Sequence, residues 1–392
     1  MAINSKSAPR PDVIVIGAGI IGSSIALRLA RAGLRVTVFD RGRAGAEASS
    51  AAAGMIAPQG EKAGPPAFTE LCWMSHGLYP EFVAEVEELS GQQVGYRRDG
   101  SVLVALDELQ ARELEEIEAD QESGAKPGGT PPGAHPAFGV ERLTAESLRR
   151  RMPGLADKIL GALFLAGDHW VDNERLSAAV VEAARRVGVT FHENTAVGRL
   201  KVRMGRVEAV EVASGQQSAG EVVLAAGCWS GELAAQAGVE IPGAPCLGQM
   251  IELEIDAPLP AVVRAGHHYL VPRVGDRVIV GTTAEYAGFE KRVTATGLAS
   301  ILQGALRLAP LLAEGRFRRA WAGLRPDTED HLPVLGRSEI AGLTLASGHF
   351  RNGILLAPVT ARLIADLVLT GSVPAALGPF GVGRFARAAR TG

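Results

Sequence analysis

Val13-Ile-Val-Ile16 begins the stretch that is most informative about the fold, and it continues with Gly17-Ala-Gly-Ile-Ile-Gly22 and Ser23-Ser-Ile-Ala-Leu-Arg-Leu-Ala30. Its three parts predict a buried strand, a tight glycine turn and a helix. A second apolar run, Val36-Thr-Val-Phe39, follows the helix and ends in Asp40. Strand, turn, helix and strand in this order predict a βαβ unit of the Rossmann type.

Each glycine of the turn has a mechanical role in binding a dinucleotide. Gly17 permits the tight turn, Gly19 lets the backbone approach a pyrophosphate, and Gly22 lets the helix pack closely on the strand. The pyrophosphate would lie on the unsatisfied N–H groups at the helix start. The Asp40 carboxylate falls where a ribose 2′-hydroxyl needs an acceptor. The stretch therefore predicts a dinucleotide site.

Composition places the chain among ordinary globular enzymes. It has 392 residues, of which 47% are hydrophobic and 21% charged, and this length favours two domains. A net charge of −3 gives no sign of a nucleic-acid or acidic membrane surface. The cysteines, Cys72, Cys228 and Cys246, lack metal-site spacing and predict reduced thiols with no metal. With a polar N-terminus and no uncharged apolar run of about 20 residues, we expect a cytoplasmic protein without stable membrane association.

The second half of the sequence returns to the pattern of strand, glycine turn and helix. This predicts an α/β fold in which a Rossmann-type cofactor domain is interleaved with a second α+β domain built on a mixed antiparallel sheet. The predicted segments are 10–60, 168–240 and 321–375 for the cofactor domain, and 61–167 and 241–320 for the substrate domain. Helices are expected near 73–89, 107–123, 173–187, 295–312 and 354–370, a strand near 94–96, and a surface loop over 124–136.

A second glycine turn, Ala346-Ser-Gly-His-Phe-Arg-Asn-Gly-Ile-Leu-Leu-Ala-Pro358, lies late in the sequence. A helix that starts at Gly353 offers free N–H groups and a positive dipole end. That suits the pyrimidine edge of an isoalloxazine, where negative charge collects on reduction, whereas a nicotinamide has no such need. The segment therefore favours FAD over NAD.

Two shorter segments add support for a nucleotide site. In Ala48-Ser-Ser-Ala-Ala-Ala-Gly-Met55, small residues let the chain pass close under a cofactor, and serine hydroxyls can contact phosphate. In Ala225-Ala-Gly-Cys-Trp-Ser230, a predicted strand ends in small residues, where backbone can lie near a nucleotide.

These segments, in this order, resemble the FAD-dependent amine oxidases of the D-amino-acid oxidase group, and within it the bacterial glycine oxidases of thiazole (thiamine) biosynthesis. The resemblance covers nearly the whole chain except the loop near 124–136. The segments that carry it are Ser49-Ser-Ala-Ala-Ala-Gly-Met-Ile56, Gly248-Gln-Met250, His268-Tyr-Leu-Val-Pro-Arg273, Val280-Gly-Thr-Thr283, Gly288-Phe289, Trp321-Ala-Gly-Leu-Arg-Pro326 and His349-Phe-Arg-Asn-Gly-Ile-Leu-Leu-Ala-Pro358.

The resemblance implies a substrate site. Arg325 would bind the substrate carboxylate, which agrees with the bidentate geometry of a guanidinium. Tyr269 would donate a second hydrogen bond to that carboxylate, and Arg351 would lie near the pocket. For His267 two interpretations stay open, a pocket histidine and a structural one. Where the family can carry a larger apolar residue, this chain has Ala284, so slightly larger amino acids than glycine are expected to fit.

The resemblance also implies non-covalent FAD. The residues expected to contact it are Gly17, Ala18, Gly19, Ile20, Ile21, Gly22, Asp40, Arg41, Ser49, Ser50, Ala53, Gly54, Met55, Val197, Ala226, Gly227, Trp229, Gly248, His349, Phe350, Arg351, Asn352, Gly353 and Ile354.

The implied activity is oxidation of glycine to the imine and glyoxylate, with release of ammonia and hydrogen peroxide, for thiazole formation. No side-chain base is expected, because hydride transfer to FAD does not need one. Two alternatives stay open: an oxidase for a D-amino acid or sarcosine, and a flavin dehydrogenase that delivers electrons to a membrane acceptor. The implied partners are a small amino acid and molecular oxygen, and the family favours a homo-oligomer, often a homotetramer.

Overall fold

The computed structural model describes residues 10–60, 64–122, 138–257 and 259–388. Within these residues, the strands in chain order are β1 Val13–Ile16, β2 Val36–Phe39, β3 Met55–Ile56, β4 Ser101–Ala105, β5 Val140–Arg142, β6 Gly161–Leu165, β7 His169–Trp170, β8 Thr190–His192, β9 Val197–Arg203, β10 Arg206–Val212, β11 Gly215–Gln217, β12 Glu221–Leu224, β13 Pro245–Glu254, β14 Val262–Ala265, β15 His268–Arg273, β16 Arg277–Gly281, β17 Arg316–Pro326, β18 Val334–Arg337 and β19 Leu343–Ser347.

The α-helices of the same residues are α1 Ile20–Arg31, α2 Ala48–Ala51, α3 Pro66–Ser90, α4 Glu108–Glu122, α5 Ala145–Arg151, α6 Asn173–Arg186, α7 Ser230–Ala235, α8 Ala295–Leu308, α9 Gly353–Thr370 and α10 Gly383–Ala388. Short 3-10 helices cover Gly227–Trp229, Pro310–Glu314 and Ala375–Phe380.

A six-stranded sheet forms the cofactor half, in the order β18-β19-β12-β1-β2-β8. Its neighbours are parallel except for the pair β18 and β19. Helices α1, α3, α6 and α9 pack together on one face in the largest apolar core. The hairpin strands β9 and β10 pack on the other face. Strand β1 is buried on both faces, which explains its unbroken apolar sequence.

An eight-stranded sheet forms the substrate half, in the order β17-β13-β16-β15-β14-β4-β6-β5. Its pairs are antiparallel except for β14 with β4. Helix α8 packs on this sheet and closes a second apolar core. A parallel Rossmann-type sheet and a mixed antiparallel sheet thus occupy one chain, and the predicted α/β fold class is confirmed.

The domain limits stay a prediction, and two elements bear on them. Strand β17 crosses the predicted limit at 321 and pairs along its length with β13. Helix α3 lies in the predicted substrate segment, yet its apolar side chains pack in the core shared by α1 and α9. These contacts favour counting α3 with the cofactor half and all of β17 with the substrate half.

Three expectations about elements need correction. The expected strand near 94–96 is wrong, because Gly95 has φ of +68° and only Arg97 forms a bridge, with Trp170. Helix α8 ends at Leu308, since Ala309 is extended before Pro310. Helix α3 begins at Pro66, earlier than expected. The predicted loop 124–136 lies outside the described residues.

Helix α9 is long and apolar enough to span a membrane by length and composition. However, 67% of its apolar window is buried inside the fold, where it packs against α1 and α3. Such burial is typical of a core helix.

Candidate cofactor and substrate site

A cavity of about 840 Å³ lies between the two sheets and takes its walls from both. Of the residues predicted to bind cofactor or substrate, all line it except Ala18, Gly22 and Ser50. The glycine loop after β1, the turn before α9 and the strands β13, β15 and β17 therefore meet at one cavity.

The glycine loop has the close packing that its sequence predicts. Gly17 has φ of +104°, and a Cβ at this position would overlap the carbonyl of Ala225. A Cβ at Gly22 would overlap the carbonyl of Gly17. Gly19 is the N-cap of α1 and supplies no side-chain cap. No side chain of the glycine loop itself therefore caps α1, and the backbone of Gly19 and Ile20 faces the cavity.

Two side chains fix this loop from outside. The backbone N–H of Ala18 donates to Asp40 Oδ2 at 2.7 Å, and Gly42 N–H donates to Oδ1 at 2.7 Å. The Ile20 N–H donates to Ser49 Oγ at 2.8 Å. The Ala18 donor is therefore already used by Asp40, which gives this carboxylate a structural role. Its remaining lone pairs leave the predicted ribose contact possible.

The second glycine turn places another helix end at the cavity. The N-cap of α9, Asn352, makes no side-chain cap bond, and Gly353 and Ile354 line the cavity. His349 is buried beside this end, and its Nε2 lies 3.1 Å from Thr360 Oγ1. Burial lowers the pKa of His349 to about 3, so this ring is neutral.

These features fit FAD. The N-termini of two helices, α1 and α9, face the cavity, and each favours negative charge. One suits a pyrophosphate and the other suits the reduced isoalloxazine. Between them, Arg41 lies 3.9 Å over the ring of Trp229, and both side chains line the cavity. The apolar and small residues of Ala48–Met55 form the adjacent wall.

Arg325 stands on β17 in the substrate half of the same cavity. Its Nη2 donates to Thr282 Oγ1 at 2.9 Å, and its Nη1 donates to the Thr283 carbonyl at 3.2 Å. A Cβ at Gly248 would overlap the guanidinium. Gly248 thus makes room for Arg325, a role that differs from its predicted cofactor contact. The oxygens that hold Arg325 are neutral, so its charge is oriented but not neutralised by them.

Tyr269 stands on β15 with a similar arrangement. It pairs with Gly281 of β16, and a Cβ there would overlap the Tyr269 ring. The Tyr269 hydroxyl donates to Met250 Sδ at 3.2 Å. A thioether is a weak acceptor, so a carboxylate oxygen would replace it readily. The neighbouring wall is apolar, formed by Ala53, Met250 and side chains packed with them.

The remaining predicted residues lie at the rim of the substrate end. His267 is exposed at the β14–β15 turn and lines the cavity. The next residue, His268, is half-buried against Gly304, and burial lowers its pKa. Arg351 is exposed, lines the cavity and lies 5.7 Å over the ring of Phe350. The exposed His267 thus faces the pocket side, and its role as a pocket or a structural histidine stays a prediction.

Sequence reasoning gave no role to several residues that shape the site. Thr282 and Thr283 fix Arg325, and Gly281 seats Tyr269. The segment Val280-Gly-Thr-Thr283 carried a usable signal, since glycine and two hydroxyls follow a buried strand. Cys228 also lines the cavity, where burial raises the pKa of its thiol to about 12 and keeps it neutral.

The fold and the site together define a dinucleotide-dependent oxidoreductase. The model of the family "FAD dependent oxidoreductase" (DAO) matches residues 12–367, so the chain belongs to this family and FAD is its cofactor. It is 36% identical over 385 residues to the "Bifunctional protein ThiO/ThiG" of Trichormus variabilis, covering 97% of this chain and 56% of that relative. The chain thus spans about half the length of such relatives.

Relatives of similar length also match. The "Glycine oxidase" of Geobacillus kaustophilus is 33% identical over 380 residues, covering 96% of this chain and 97% of the relative. The crystal structure of the glycine oxidase from the same organism superposes with a TM-score of 0.88 at 33% identity, over 96% of this chain and 99% of that one.

Proposed function

We propose that this protein is an FAD-dependent amino-acid oxidase that acts on glycine. The overall reaction converts glycine, oxygen and water to glyoxylate, ammonia and hydrogen peroxide, through the imine. The observation that carries this proposal is the Arg325 guanidinium, seated on Gly248 beside Tyr269 in the same cavity as the dinucleotide loop. The glycine oxidases and ThiO/ThiG proteins among the relatives support it, and by the same likeness the imine would feed thiazole synthesis.

The cofactor would occupy the cavity from the start of α1 to the start of α9. Backbone at Gly19 and Ser49 would hold the pyrophosphate, and Gly353 and Ile354 would face the isoalloxazine. When bound, FAD accepts the hydride equivalent from the amino-acid α-carbon.

The protein residues contribute position and charge to this chemistry. Arg325 would take the carboxylate in a bidentate pair, and Tyr269 would donate a further hydrogen bond. Two anchors on one carboxylate restrict the rotation of the substrate and aim its α-carbon along the cavity. The apolar wall around Met250 excludes water and strengthens the charged contact.

A second substrate, a slightly larger amine such as sarcosine or D-alanine, is favoured by one observation. Ala284 and Ser300 line the cavity, and both side chains are small. The additional methyl group of sarcosine or D-alanine would therefore meet little steric hindrance from the wall at Ala284 and Ser300. A homo-oligomeric assembly and a cytoplasmic location also stay proposals.

The test is the visible spectrum of the purified holoenzyme mixed without oxygen with glycine, sarcosine or D-alanine. We expect the yellow colour to bleach fastest with glycine, and more slowly with the other two. Bleaching only by the larger amines would replace glycine by the second substrate class. A yellow protein that none of these amines bleaches would overturn the assignment as a small amino-acid oxidase.

A further inference from the structure

Residues 284–293, here called the strap, run between β16 and α8 without helix or extended strand. They leave the substrate half and reach residues of the cofactor half. Only Ala284, at the start, lines the cavity itself. Nothing in the proposed reaction requires the rest of the strap.

The two ends of the strap are fixed by one buried side chain, Gln249. Its Nε2 donates to Glu285 Oε1 at 2.8 Å and to Thr294 Oγ1 at 3.2 Å, and its Oε1 accepts from Thr294 N–H at 2.8 Å. Glu285 also exchanges two backbone hydrogen bonds with Leu247. A Cβ at Gly297 would overlap the Gln249 amide, so this amide is held in a tight seat.

Between these two ends, Tyr286 makes a further hydrogen bond to the rest of the protein. Its hydroxyl donates to the buried Asp327 Oδ2 at 2.7 Å. Gly288 follows with φ of +67° and separates the base of the strap, residues 284–287, from its tip, residues 289–293. Gln249 and Leu247 on β13 therefore bind the base of the strap firmly to the substrate half, and Tyr286 ties it to the residue that follows β17.

The tip contacts the cofactor half at two points. Lys291 Nζ lies 2.7 Å from Glu47 Oε2, and the Phe289 ring lies 5.8 Å from that of Trp229. Both Glu47 and Trp229 line the cavity, whereas Lys291 and Phe289 contact them without lining it. The tip contacts are exposed and individually weak, in contrast to the buried base.

Glu47 connects the tip to the dinucleotide loop. It has φ of +59°, a conformation that a non-glycine residue keeps only when its surroundings hold it. It is the N-cap of α2, and its carbonyl accepts from Ala51 N–H and Ser50 Oγ. In the same short helix, Ser49 accepts from Ile20 N–H at the start of α1. A contact from the substrate half thus reaches the pyrophosphate end of the cavity through one short helix.

We propose that the strap is an interdomain clamp that retains FAD: Lys291 and Phe289 are positioning residues that hold Glu47 and Trp229 against the cofactor. Release of the tip opens this wall while the base stays attached, and this is the route by which FAD enters and leaves. The inference rests on the proposed placement of FAD in this cavity and not on glycine as the substrate.

The experiment measures FAD release from the holoenzyme by the rise in free flavin fluorescence, with no amine present. We expect Lys291→Met to release FAD about two- to fivefold faster, the range of one exposed ion pair, and Phe289→Ala to act in the same direction. High salt should speed release from the unmodified protein and leave Lys291→Met nearly unaffected, because only the former has the ion pair to screen.

Matched controls come from elsewhere in the chain. Lys201→Met breaks the exposed Lys201–Glu211 pair (2.8 Å) on the β9–β10 hairpin, and Phe317→Ala removes an exposed ring on β17. Both should release FAD at the rate of the unmodified protein. Equal release rates for the strap variants and their controls would overturn the clamp.

The variant Trp229→Ala tests the placement of FAD in this cavity independently of the clamp. Faster release from Trp229→Ala, with no effect of either strap variant, would refute the clamp and keep FAD in this cavity. Unchanged release from all three variants would refute both.

Discussion

At the residue scale, the substrate end depends on pairs in which a glycine makes room for a large polar side chain. Gly248 faces the Arg325 guanidinium, and Gly281 faces the Tyr269 ring. In each pair the glycine lies on the strand next to the functional residue. The glycine leaves a groove across the sheet, and the side chain lies flat in it with few alternative rotamers. The orientation of Arg325 and Tyr269 is thus set before a substrate enters.

Removal of the Arg325 side chain should abolish most turnover while FAD stays bound. We expect Arg325→Ala to lower kcat/KM for glycine about 30- to 5,000-fold, because truncating one partner of a shielded charge pair costs about 2–5 kcal/mol. Arg318→Ala, on the same strand but exposed and paired with Glu254, should keep its activity. Steady-state kinetics measure kcat/KM of each variant, and the flavin absorbance shows whether FAD stays bound. A near-normal kcat/KM in Arg325→Ala would refute the carboxylate assignment.

At the scale of elements, the first βαβ unit is held together by contacts between backbones. The helix α1 lies so close to β1 that a Cβ at Gly22 would overlap the Gly17 carbonyl, and Gly17 itself lies against Ala225 after β12. Ser49 and Asp40 then fix the loop N–H groups from α2 and from the end of β2. Three strands and two helices therefore meet at one turn of a few residues.

A methyl group at Gly22 should push α1 away from β1. We expect Gly22→Ala to destabilise the protein by about 1–3 kcal/mol through overpacking and to weaken FAD binding. The control Gly77→Ala lies within α3, where a Cβ meets nothing within 4 Å, and should stabilise that helix by up to about 1 kcal/mol. Thermal melts and FAD titration of the apoproteins measure both effects. If Gly22→Ala matched the unmodified protein in both, the close packing of α1 on β1 would not matter.

At the scale of the whole molecule, buried histidines make stability depend on pH. The His76 and His169 rings pack with centroids 4.3 Å apart, and Tyr96 Oη lies 2.7 Å from His169 Nδ1. Burial lowers the pKa of His76 to about 4 and that of His169 to about 3. His349 behaves in the same way at the start of α9. His76 lies on α3, His169 on β7 and His349 in the turn before α9, and all three rings are neutral in the folded protein near neutral pH.

The expected result is a fall in stability on acidification from about pH 6.5 to pH 4. In this window the unfolded chain binds protons at these histidines and the folded protein does not, so stability rises with pH and then levels off above about 6.5. Asp168 acts oppositely, since burial raises its folded pKa to about 6 and the folded protein takes up more protons there between about 3.8 and 6.

Because these three histidines and His268 together outweigh Asp168, we expect the midpoint of thermal unfolding to increase from about pH 4 to about pH 6.5. The measurement is a series of melts at constant ionic strength, repeated with His76→Phe, in which the slope should decrease. A midpoint that stays level or decreases as the pH rises toward 6.5 would contradict this balance.

Much of this protein could be predicted from local patterns. The β1–α1–β2 unit, the helix α6 and the turn before α9 follow directly from apolar periodicity and glycine placement, because each is determined by neighbours within about 30 residues. The prediction of a strand near 94–96 was wrong, because Gly95 adopts a left-handed conformation that the apolar pattern of the sequence does not show. Helix α8 ends at Leu308 because Pro310 disfavours a helical conformation at Ala309, and apolar periodicity alone does not include this local signal.

The fold class, the cofactor and many residues of the cavity wall follow from the sequence alone, because glycine turns at helix starts have few structural uses. Which residues position others is visible only in the tertiary structure. Gly248 and Gly281 seat side chains from neighbouring strands, Asp40 holds a loop N–H, and Lys291 reaches Glu47 across 244 positions of sequence. Such contacts join residues far apart in the chain, and they exist only once the two sheets have packed against each other.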